Sequence, residues 1–282
     1  MQRNHRVNGT GLGLRRTHLG PLLDHIPDEI DFFEVAPENW LGVGGRIGDA
    51  FTRISAERPL LCHGLLLNLG GPDPLEVAFI ERIKGFLGQH RAVIYGDHLS
   101  FCAAGGQLYE LLPIPFTAEA VQHVAARIRE VQERLEQRIA VENPSYYVRL
   151  SDELDESTFI NAVLEEADCE LLIDINNIHV NSVNHGYDAK AFLASLPGER
   201  IAYAHIAGHH QDSDGLIVDT HGTPIIEPVW DLLDFAYQRF GAFPTLLERD
   251  ENIPPLAELL PELRRIHKAQ QHHANSGDGL AA

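Results

Sequence analysis

The chain has 282 residues, 44% of them hydrophobic, and a formal net charge of −19, a combination that allows one well-packed α/β domain and disfavours binding to nucleic-acid phosphates. No stretch reaches the roughly 18 apolar residues of a membrane span, and residues 1–6 lack the apolar segment of a secretory signal. With only three cysteines and no disulfide framework, the sequence predicts a cytoplasmic protein without a membrane or nucleic-acid partner.

Short apolar segments alternate with helix-like segments along the chain. Eight of the apolar segments have the length and character of strands that are buried on both faces of a sheet. They are residues 11–15, 31–36, 60–67, 92–99, 138–143, 170–175, 201–207 and 243–249. Helices are expected after each strand, except that residues 176–188 are expected to form a polar loop before a short helix at 189–195.

Two helix starts have capping signals. Asp73 is expected at the N-cap of the third helix, with Pro74 in its first turn and Glu76 completing the cap. Thr117 is expected to cap the long fourth helix, because apolar residues recur at helical spacing directly after it.

The alternation of strands and helices predicts the fold. Strict βα alternation implies a parallel sheet, and eight units imply a closed single-domain (β/α)8 TIM barrel. We assign residues 9–269 to this catalytic domain and expect residues 270–282 to be a disordered tail. An open doubly wound sheet is the alternative, but the sequence has no glycine-rich dinucleotide fingerprint.

Residues with ligand-type side chains recur at the ends of the predicted strands. In a TIM barrel these ends meet on one face, where active sites form. The strand ends supply Glu34, His63, His98, Glu142, Asp174, His205 and Glu248, and Glu38, Asn39, Asp97, Asn177 and His209 lie nearby. Imidazole mixed with carboxylate suits iron, manganese or zinc, and clustered carboxylates need protons or cations between them. This number of ligands predicts two or three metal ions.

Several of these residues also have simpler interpretations. His63 alone could be a hydrogen-bonded core residue, and Glu142 alone could pair with Arg15. Asp219 and His221, in the loop after the seventh strand, could hold a metal or form a turn. Cys62 is expected to point away from His63 across its strand, so we interpret it as a packing residue. Cys102 has no base beside it in the sequence, so we do not expect it to act as a nucleophile.

Nine short motifs, read in order, resemble a known family. They are Gly11-Leu-Gly-Leu-Arg15, Phe33-Glu-Val-Ala-Pro-Glu-Asn-Trp40, His63-Gly64, Gly96-Asp-His-Leu-Ser100, Val141-Glu-Asn-Pro144, Ile173-Asp-Ile-Asn-Asn177, His205-Ile-Ala-Gly-His209, Asp219-Thr-His221 and Leu247-Glu-Arg-Asp250. Over residues 9–267 the sequence resembles the multinuclear non-haem iron-dependent oxidative enzymes, the relatives of the methanobactin-maturation oxidase.

The resemblance implies a xylose-isomerase-like TIM barrel that holds two or three irons, in a mixed-valence Fe(II)/Fe(III) state, with dioxygen as co-substrate. By matching motif, the implied ligands are His63, His98 and Glu142 for one iron, Glu142 with Asp174, His205 and Glu248 for a second, and Asn177, Asp219 and His221 for a third. The implied catalytic neighbours are Glu34, Glu38, Asn39, Asp97 and His209. His179 departs from the pattern, which leads us to expect an aromatic residue such as tyrosine there.

The same resemblance implies a function. It is that of an oxidase that modifies cysteine residues of a ribosomally made precursor peptide, often with a separate partner protein that binds the peptide's leader. One alternative is a non-redox hydrolase or isomerase that uses zinc, manganese or magnesium on a xylose-isomerase-like barrel. A second alternative is a non-enzymatic metal-binding protein on a degenerate barrel, although the nearly complete ligand set argues against it.

Overall fold

Eight parallel strands close into a barrel in the computed structural model, which describes residues 5–277. Within these residues there are twelve strands, of which eight form the barrel: β1 (Thr10–Gly13), β2 (Phe32–Val35), β3 (Leu60–His63), β4 (Ile94–His98), β5 (Ser100–Ala103), β6 (Gln107–Pro113), β7 (Ala140–Glu142), β8 (Glu170–Asp174), β9 (Ile201–Ile206), β10 (His210–Gln211), β11 (Ile217–Val218) and β12 (Thr245–Leu247). The barrel order is β1-β2-β3-β4-β7-β8-β9-β12, closing back on β1, so the predicted TIM barrel is confirmed.

Helices surround the barrel. They are α1 (Leu19–Asp24), α2 (Gly45–Ser55), α3 (Val77–His90), α4 (Ala118–Leu135), α5 (Glu156–Ala167), α6 (Ile175–His185), α7 (Ala189–Ala194), α8 (Glu227–Phe240) and α9 (Leu256–Gly277). Their apolar faces pack on the outside of the sheet and form the larger hydrophobic cluster with the outward-facing strand residues. Across residues 5–277, no helix has the length and apolar character that crossing a membrane requires.

A smaller apolar cluster fills the inside of the barrel. It contains Phe32, Leu61, Ile94, Ala140, Leu172, Tyr203 and Leu246, all almost fully buried. Because side chains alternate along a strand, the residue two positions later points to the same side. Most of these apolar residues are followed two positions later by a polar residue. The polar side chains therefore also point into the barrel, one layer closer to the C-terminal ends of the strands.

The structure corrects three local predictions. The expected Asp73 cap is wrong, because α3 begins at Val77 and Asp73 accepts a hydrogen bond from the Gly105 amide instead. The expected polar loop after β8 is wrong, because α6 begins there. The disordered tail is also wrong for residues 270–277, which continue α9, and the buried Gln270 side chain bonds Gly9 and Phe243 carbonyls beneath the barrel. Residues 278–282 lie outside the described residues.

Other local features agree with the sequence or go beyond it. The Thr117 hydroxyl accepts a hydrogen bond from the Ala120 amide, which confirms the predicted cap of α4. Strand β3 ends at His63, earlier than expected, because the following loop bonds to the Glu38 side chain. Two small antiparallel hairpins, β5–β6 and β10–β11, were not predicted and lie in the loops after β4 and β9.

Candidate metal centre

The predicted ligands enter the barrel through the alternation of its strands. His63 follows Leu61, Glu142 follows Ala140, Asp174 follows Leu172, His205 follows Tyr203 and Glu248 follows Leu246, each at a spacing of two. The polar residues therefore form a layer directly above the apolar interior, at the C-terminal ends of the strands. All of them are less than 9% exposed. Cys62 belongs to the outer cluster, as expected for a packing residue.

Two imidazoles and one carboxylate meet on one side of this layer. The Glu142 Oε2 atom lies 2.5 Å from His63 Nε2 and 3.4 Å from His98 Nε2, and the two imidazole nitrogens are 3.1 Å apart. Burial opposes ionisation of Glu142, but the imidazoles of His98 and His63 outweigh it and lower the pKa of Glu142 to about 2. Burial likewise opposes protonation of His63, yet Glu142 raises its pKa to about 9. Burial and His63 lower the pKa of His98 to about 4.

His205 lies at the centre of the layer. Its Nδ1 atom is 2.8 Å from Glu248 Oε2 and 3.9 Å from both Glu142 Oε2 and Asp174 Oδ2. Against the effect of burial, the carboxylates of Glu248 and Glu34 raise the pKa of His205 well above its ordinary value. The raised pKa reports a concentration of negative charge, and such a field also attracts a cation.

His221 extends the layer away from the barrel axis. Its Nε2 atom lies 2.7 Å from Asp219 Oδ1 and 3.8 Å from Asp174 Oδ2. The residue adopts a left-handed backbone with φ of 48°. Asn177, in the first turn of α6, donates from Nδ2 to Glu142 Oε1 at 3.0 Å. The structure therefore brings all nine predicted metal ligands into one region.

Several inward-facing atoms have no hydrogen bond of acceptable geometry to any described residue. They include Glu142 Oε2, Asp174 Oδ2, Asn177 Oδ1, His205 Nδ1 and His221 Nε2, all fully shielded from solvent. Glu142 Oε2, His205 Nδ1 and His221 Nε2 lie 2.5–2.8 Å from a charged partner without the alignment of a hydrogen bond. A cation among the five atoms would give them a common partner. These are the nitrogen and oxygen donors that cations of the first transition row accept. The donor set therefore fits metal ions.

The donor atoms form one continuous cluster. Three sets have their donor atoms within 4.8 Å of one another: His63 with Glu142 and His205, Glu34 with His205 and Glu248, and Asp174 with His221 and Glu248. Because His205 and Glu248 each belong to two sets, the three sets are joined through these two residues. Glu34 belongs to one set, in agreement with its position among the strand-end residues, whereas the family resemblance implied a neighbouring role for it.

In three of the histidines, one ring nitrogen contacts a residue outside the predicted ligand set. His98 Nδ1 lies 3.0 Å from the Gly64 carbonyl, and His221 Nδ1 lies 3.1 Å from Asp250 Oδ2. His205 Nε2 lies 3.1 Å from Glu34, which also accepts the Tyr203 hydroxyl at 2.5 Å. Such partners set the tautomer and orientation of a metal-binding histidine. Asp250 was missed from the sequence, although its spacing of two from Glu248 could have indicated it.

The remaining predicted neighbours lie around the cluster and not within it. Asp97 shares a side of β4 with Tyr95, whose hydroxyl donates to it at 3.1 Å, and burial together with Glu38 raises the pKa of Asp97 to about 7. Glu38 accepts the Leu65 amide at 2.9 Å, and burial raises its pKa. Asn39 lines the cavity above the cluster.

His209 and His179 lie beside the third group of ligands. His209 Nδ1 is 2.8 Å from Asn176 Oδ1, and burial and His179 lower the pKa of His209 to about 4. The His179 ring, which stands where we expected another aromatic residue, stacks on His209 with ring centroids 5.1 Å apart. The two imidazoles thus pack against each other and not into the cluster.

A cavity of about 390 Å³ opens from the cluster to the C-terminal face of the barrel. Its floor is lined by His63, His98, Glu142, Asn177 and His221, and its upper wall by Leu65, Glu110, Leu111 and Tyr147. Arg15 is the sole arginine or lysine among the described residues that line it. Arg15 pairs with Asp250, and not with Glu142 as the simpler interpretation supposed.

A comparison with protein families identifies the family of the chain. A family model described as the RiPP precursor modification enzyme MbnB/TglH/ChrH, where RiPP denotes a ribosomally synthesised and post-translationally modified peptide, matches residues 9–271. The chain belongs to this family. Membership supports an enzyme of RiPP precursor modification with a metal site, which agrees with the buried donor cluster.

Two similar proteins are both named as UPF0276 proteins. The chain is 54% identical over 260 residues to a UPF0276 protein of Shewanella sediminis, covering 92% of this chain and 94% of the relative. It is 50% identical over 283 residues to UPF0276 protein Nmul_A2550 of Nitrosospira multiformis, covering 100% of both chains.

Solved structures with the same fold are distant in sequence. D-psicose 3-epimerase of Clostridium cellulolyticum has a TM-score of 0.59 at 11% identity, covering 95% of this chain and 97% of its own. A xylose isomerase domain protein of Planctomyces limnophilus has a TM-score of 0.59 at 13% identity, covering 95% and 99%. These likenesses confirm the xylose-isomerase-like barrel.

Proposed function

We propose that this protein is an iron-dependent oxidase that uses dioxygen to modify cysteine residues of a ribosomally synthesised precursor peptide. The proposal includes two or three irons and a separate protein that binds the leader of the peptide. The observation that carries it is a set of buried nitrogen and oxygen atoms, able to bind a metal and without an aligned hydrogen bond, at the floor of an open cavity. The chain that holds them is a member of the RiPP precursor modification family.

The proposed ligands are grouped as the family resemblance implied, and all of them lie in the cluster. His63, His98 and Glu142 would hold one ion, and Asp174, His205 and Glu248 a second. Glu142 Oε2 faces both groups and would be shared between them. Asn177, Asp219 and His221 would hold a third. Bound iron supplies one-electron oxidation and the reduction of dioxygen, which the side chains of the cavity do not supply.

Imidazole and carboxylate donors favour iron over a structural zinc site. Structural zinc is usually held in a closed tetrahedral site that often contains cysteine thiolates. Here the donors are nitrogen and oxygen atoms, they exceed the needs of one four-coordinate ion, and the cavity leaves one side open. This arrangement suits ions that must bind substrates as well as protein.

The thiol that reacts would come from the substrate. Cys62 packs outside the barrel, and burial raises the pKa of Cys169 to about 12. Burial also raises the pKa of Cys102, whose Sγ donates to the Leu65 carbonyl. None of the three lines the cavity, so a thiolate at the cluster must enter from outside. The cavity wall combines apolar Leu65, Leu111 and Tyr147 with carboxylates, a lining that suits a peptide segment.

The chain's own residues would orient the ligands. Glu34 holds His205 through Nε2, and Tyr203 in turn holds Glu34. The Gly64 carbonyl holds His98 through Nδ1. These contacts direct the remaining nitrogen of each imidazole into the cluster before any ion binds, which reduces the reorganisation that binding requires.

Two variants test the proposal. His63→Ala and Glu142→Ala should each lose iron and iron-dependent dioxygen consumption with cysteine-containing precursor peptides from related systems, while the barrel stays folded by circular dichroism. His267→Ala and Glu258→Ala, at exposed positions of α9, are matched controls and should keep both. Retained iron and oxygen consumption in the two site variants would contradict the proposal. Wild-type protein that holds zinc or manganese and acts without dioxygen would support the non-redox alternative.

A further inference from the structure

Asp219 reaches the cluster by a different route from the strand-end ligands. It follows β11 in the long loop between β9 and α8, so no barrel strand fixes its side chain. A carboxylate on a loop has to be positioned by contacts from other elements if it is to bind an ion at a defined place.

Three neighbouring segments hold Asp219. Asn176, in the first turn of α6, donates from Nδ2 to Asp219 Oδ1 at 2.8 Å. Ser145, in the loop after β7, donates from its hydroxyl to Asp219 Oδ2 at 3.0 Å. The Asp219 backbone amide donates to the Tyr147 hydroxyl at 3.0 Å. Both carboxylate oxygens are therefore held by side chains of other segments, and Oδ1 also lies 2.7 Å from His221 Nε2.

Asn176 is itself held in one orientation. Its side chain is fully buried, and its Oδ1 atom lies 2.8 Å from His209 Nδ1. An amide oxygen can only accept a hydrogen bond, so His209 must carry its proton on Nδ1. With Oδ1 occupied by His209, the donor Nδ2 faces Asp219, and the reverse orientation would set two acceptors against each other. His209 therefore donates to Asn176, and Asn176 donates to Asp219, in a chain of two hydrogen bonds.

We propose that Asn176 is a positioning residue for the third metal ion, acting through Asp219 with support from His209 and Ser145. The inference rests on the proposed function and adds to it that occupancy of the third position is controlled separately from the other two. Within the described residues, the side-chain hydrogen bonds of Asn176 reach Asp219 and His209 and none of the ligands of the first ion.

Asn176→Asp is the decisive variant. The substitution keeps the shape of the side chain and the acceptor for His209, but it replaces the donor with an oxygen that faces the Asp219 carboxylate. Repulsion between the two carboxylates should displace Asp219, while the fold is retained. Substitution of such an outer partner weakens metal binding about 10- to 100-fold in general, and here the loss should be confined to one ion.

The experiment loads each protein with Fe(II) without oxygen, removes weakly bound iron by gel filtration, and measures iron per chain and the Mössbauer spectrum. Wild-type protein should hold three irons. Asn176→Asp should hold two and keep the spectrum of the first two ions. Asn161→Asp is the matched control, because Asn161 lies on α5 and donates to the Ser195 carbonyl. This variant should hold three irons.

A second pair of variants guards against a folding defect. Ser145→Ala removes one donor to Asp219 and should weaken the third ion several-fold, whereas Ser145→Thr keeps the hydroxyl and should restore it. If Asn176→Asp does not fold, this pair decides the inference.

The outcomes separate the inference from the proposed function. Three irons of unchanged affinity in Asn176→Asp, or in Ser145→Ala where the first variant does not fold, would overturn the inference and leave the proposed function intact. Loss of all three irons in the same variant would also overturn the inference, because the third position would then not be controlled separately. A wild-type protein with two irons would overturn the inference while keeping an iron pair. A wild-type protein that takes up no iron would overturn both.

Discussion

Glu156, at the start of α5, should make the stability of the protein depend on pH. The carboxyl group is buried and accepts hydrogen bonds from the Tyr146 hydroxyl at 3.1 Å, the Tyr187 hydroxyl at 3.2 Å and Asn181 Nδ2 at 3.1 Å. Burial raises its pKa to about 7 despite these donors. The group fixes the loop after β7 to α6, which together carry Ser145 and Asn177.

The direction and size of the effect follow from this pKa. The folded pKa of about 7 exceeds the ordinary value of 4.5, so the contribution to stability is fully present below pH 4.5 and is lost as pH rises through 7. The full difference corresponds to about 3 kcal/mol. Glu156→Gln removes the titration, so its stability relative to wild type should rise by about 2 kcal/mol between pH 5.5 and pH 8.5.

Urea unfolding at both pH values, followed by circular dichroism, measures this difference. Glu165→Gln is the matched control, because Glu165 is exposed on the same helix and solvent screens its charge. A difference between Glu156→Gln and wild type that stays constant within about 0.5 kcal/mol from pH 5.5 to 8.5 would refute the reasoning. It would mean that the three donors keep the carboxylate ionised at little cost.

Two further variants address the partners of the ligands. Glu34→Gln should weaken iron binding about 10- to 100-fold while leaving the unfolding temperature nearly unchanged, because it loosens the orientation of His205; equal iron affinity by competition with a chelator would contradict this. Gly64→Ala should destabilise the fold by about 1–3 kcal/mol and weaken iron binding, because its Cβ would lie 2.2 Å from the buried Tyr95 hydroxyl. Gly85→Ala is its control, with no neighbouring atom within 4 Å, and urea unfolding should show no loss of stability; equal stability of the two variants would show that the contact at Gly64 can relax.

Much of the barrel and of the ligand set could be predicted because both depend on local rules. Continuous apolar segments marked the strands, and the alternation of side chains placed His63, Glu142, His205 and Glu248 on the inner face. The metal roles of these residues stay a prediction until an ion is measured.

Features that depend on tertiary contacts could not be predicted in the same way. Helix α6 is rich in asparagine and histidine, which favour loops, yet Asp174 caps it and the barrel buries one of its faces. Asp73 does not cap α3, because its side chain accepts a hydrogen bond from the Gly105 amide. Gly105 belongs to the turn of a hairpin that the sequence did not indicate. The contacts of Tyr203 with Glu34 and of Asn176 with Asp219 could be seen only when distant segments were brought together.

The most direct test of the central claim is the metal content and Mössbauer spectrum of wild-type protein purified without oxygen. The account predicts two or three irons per chain, with an exchange-coupled pair. A single zinc or manganese ion with little iron would contradict it.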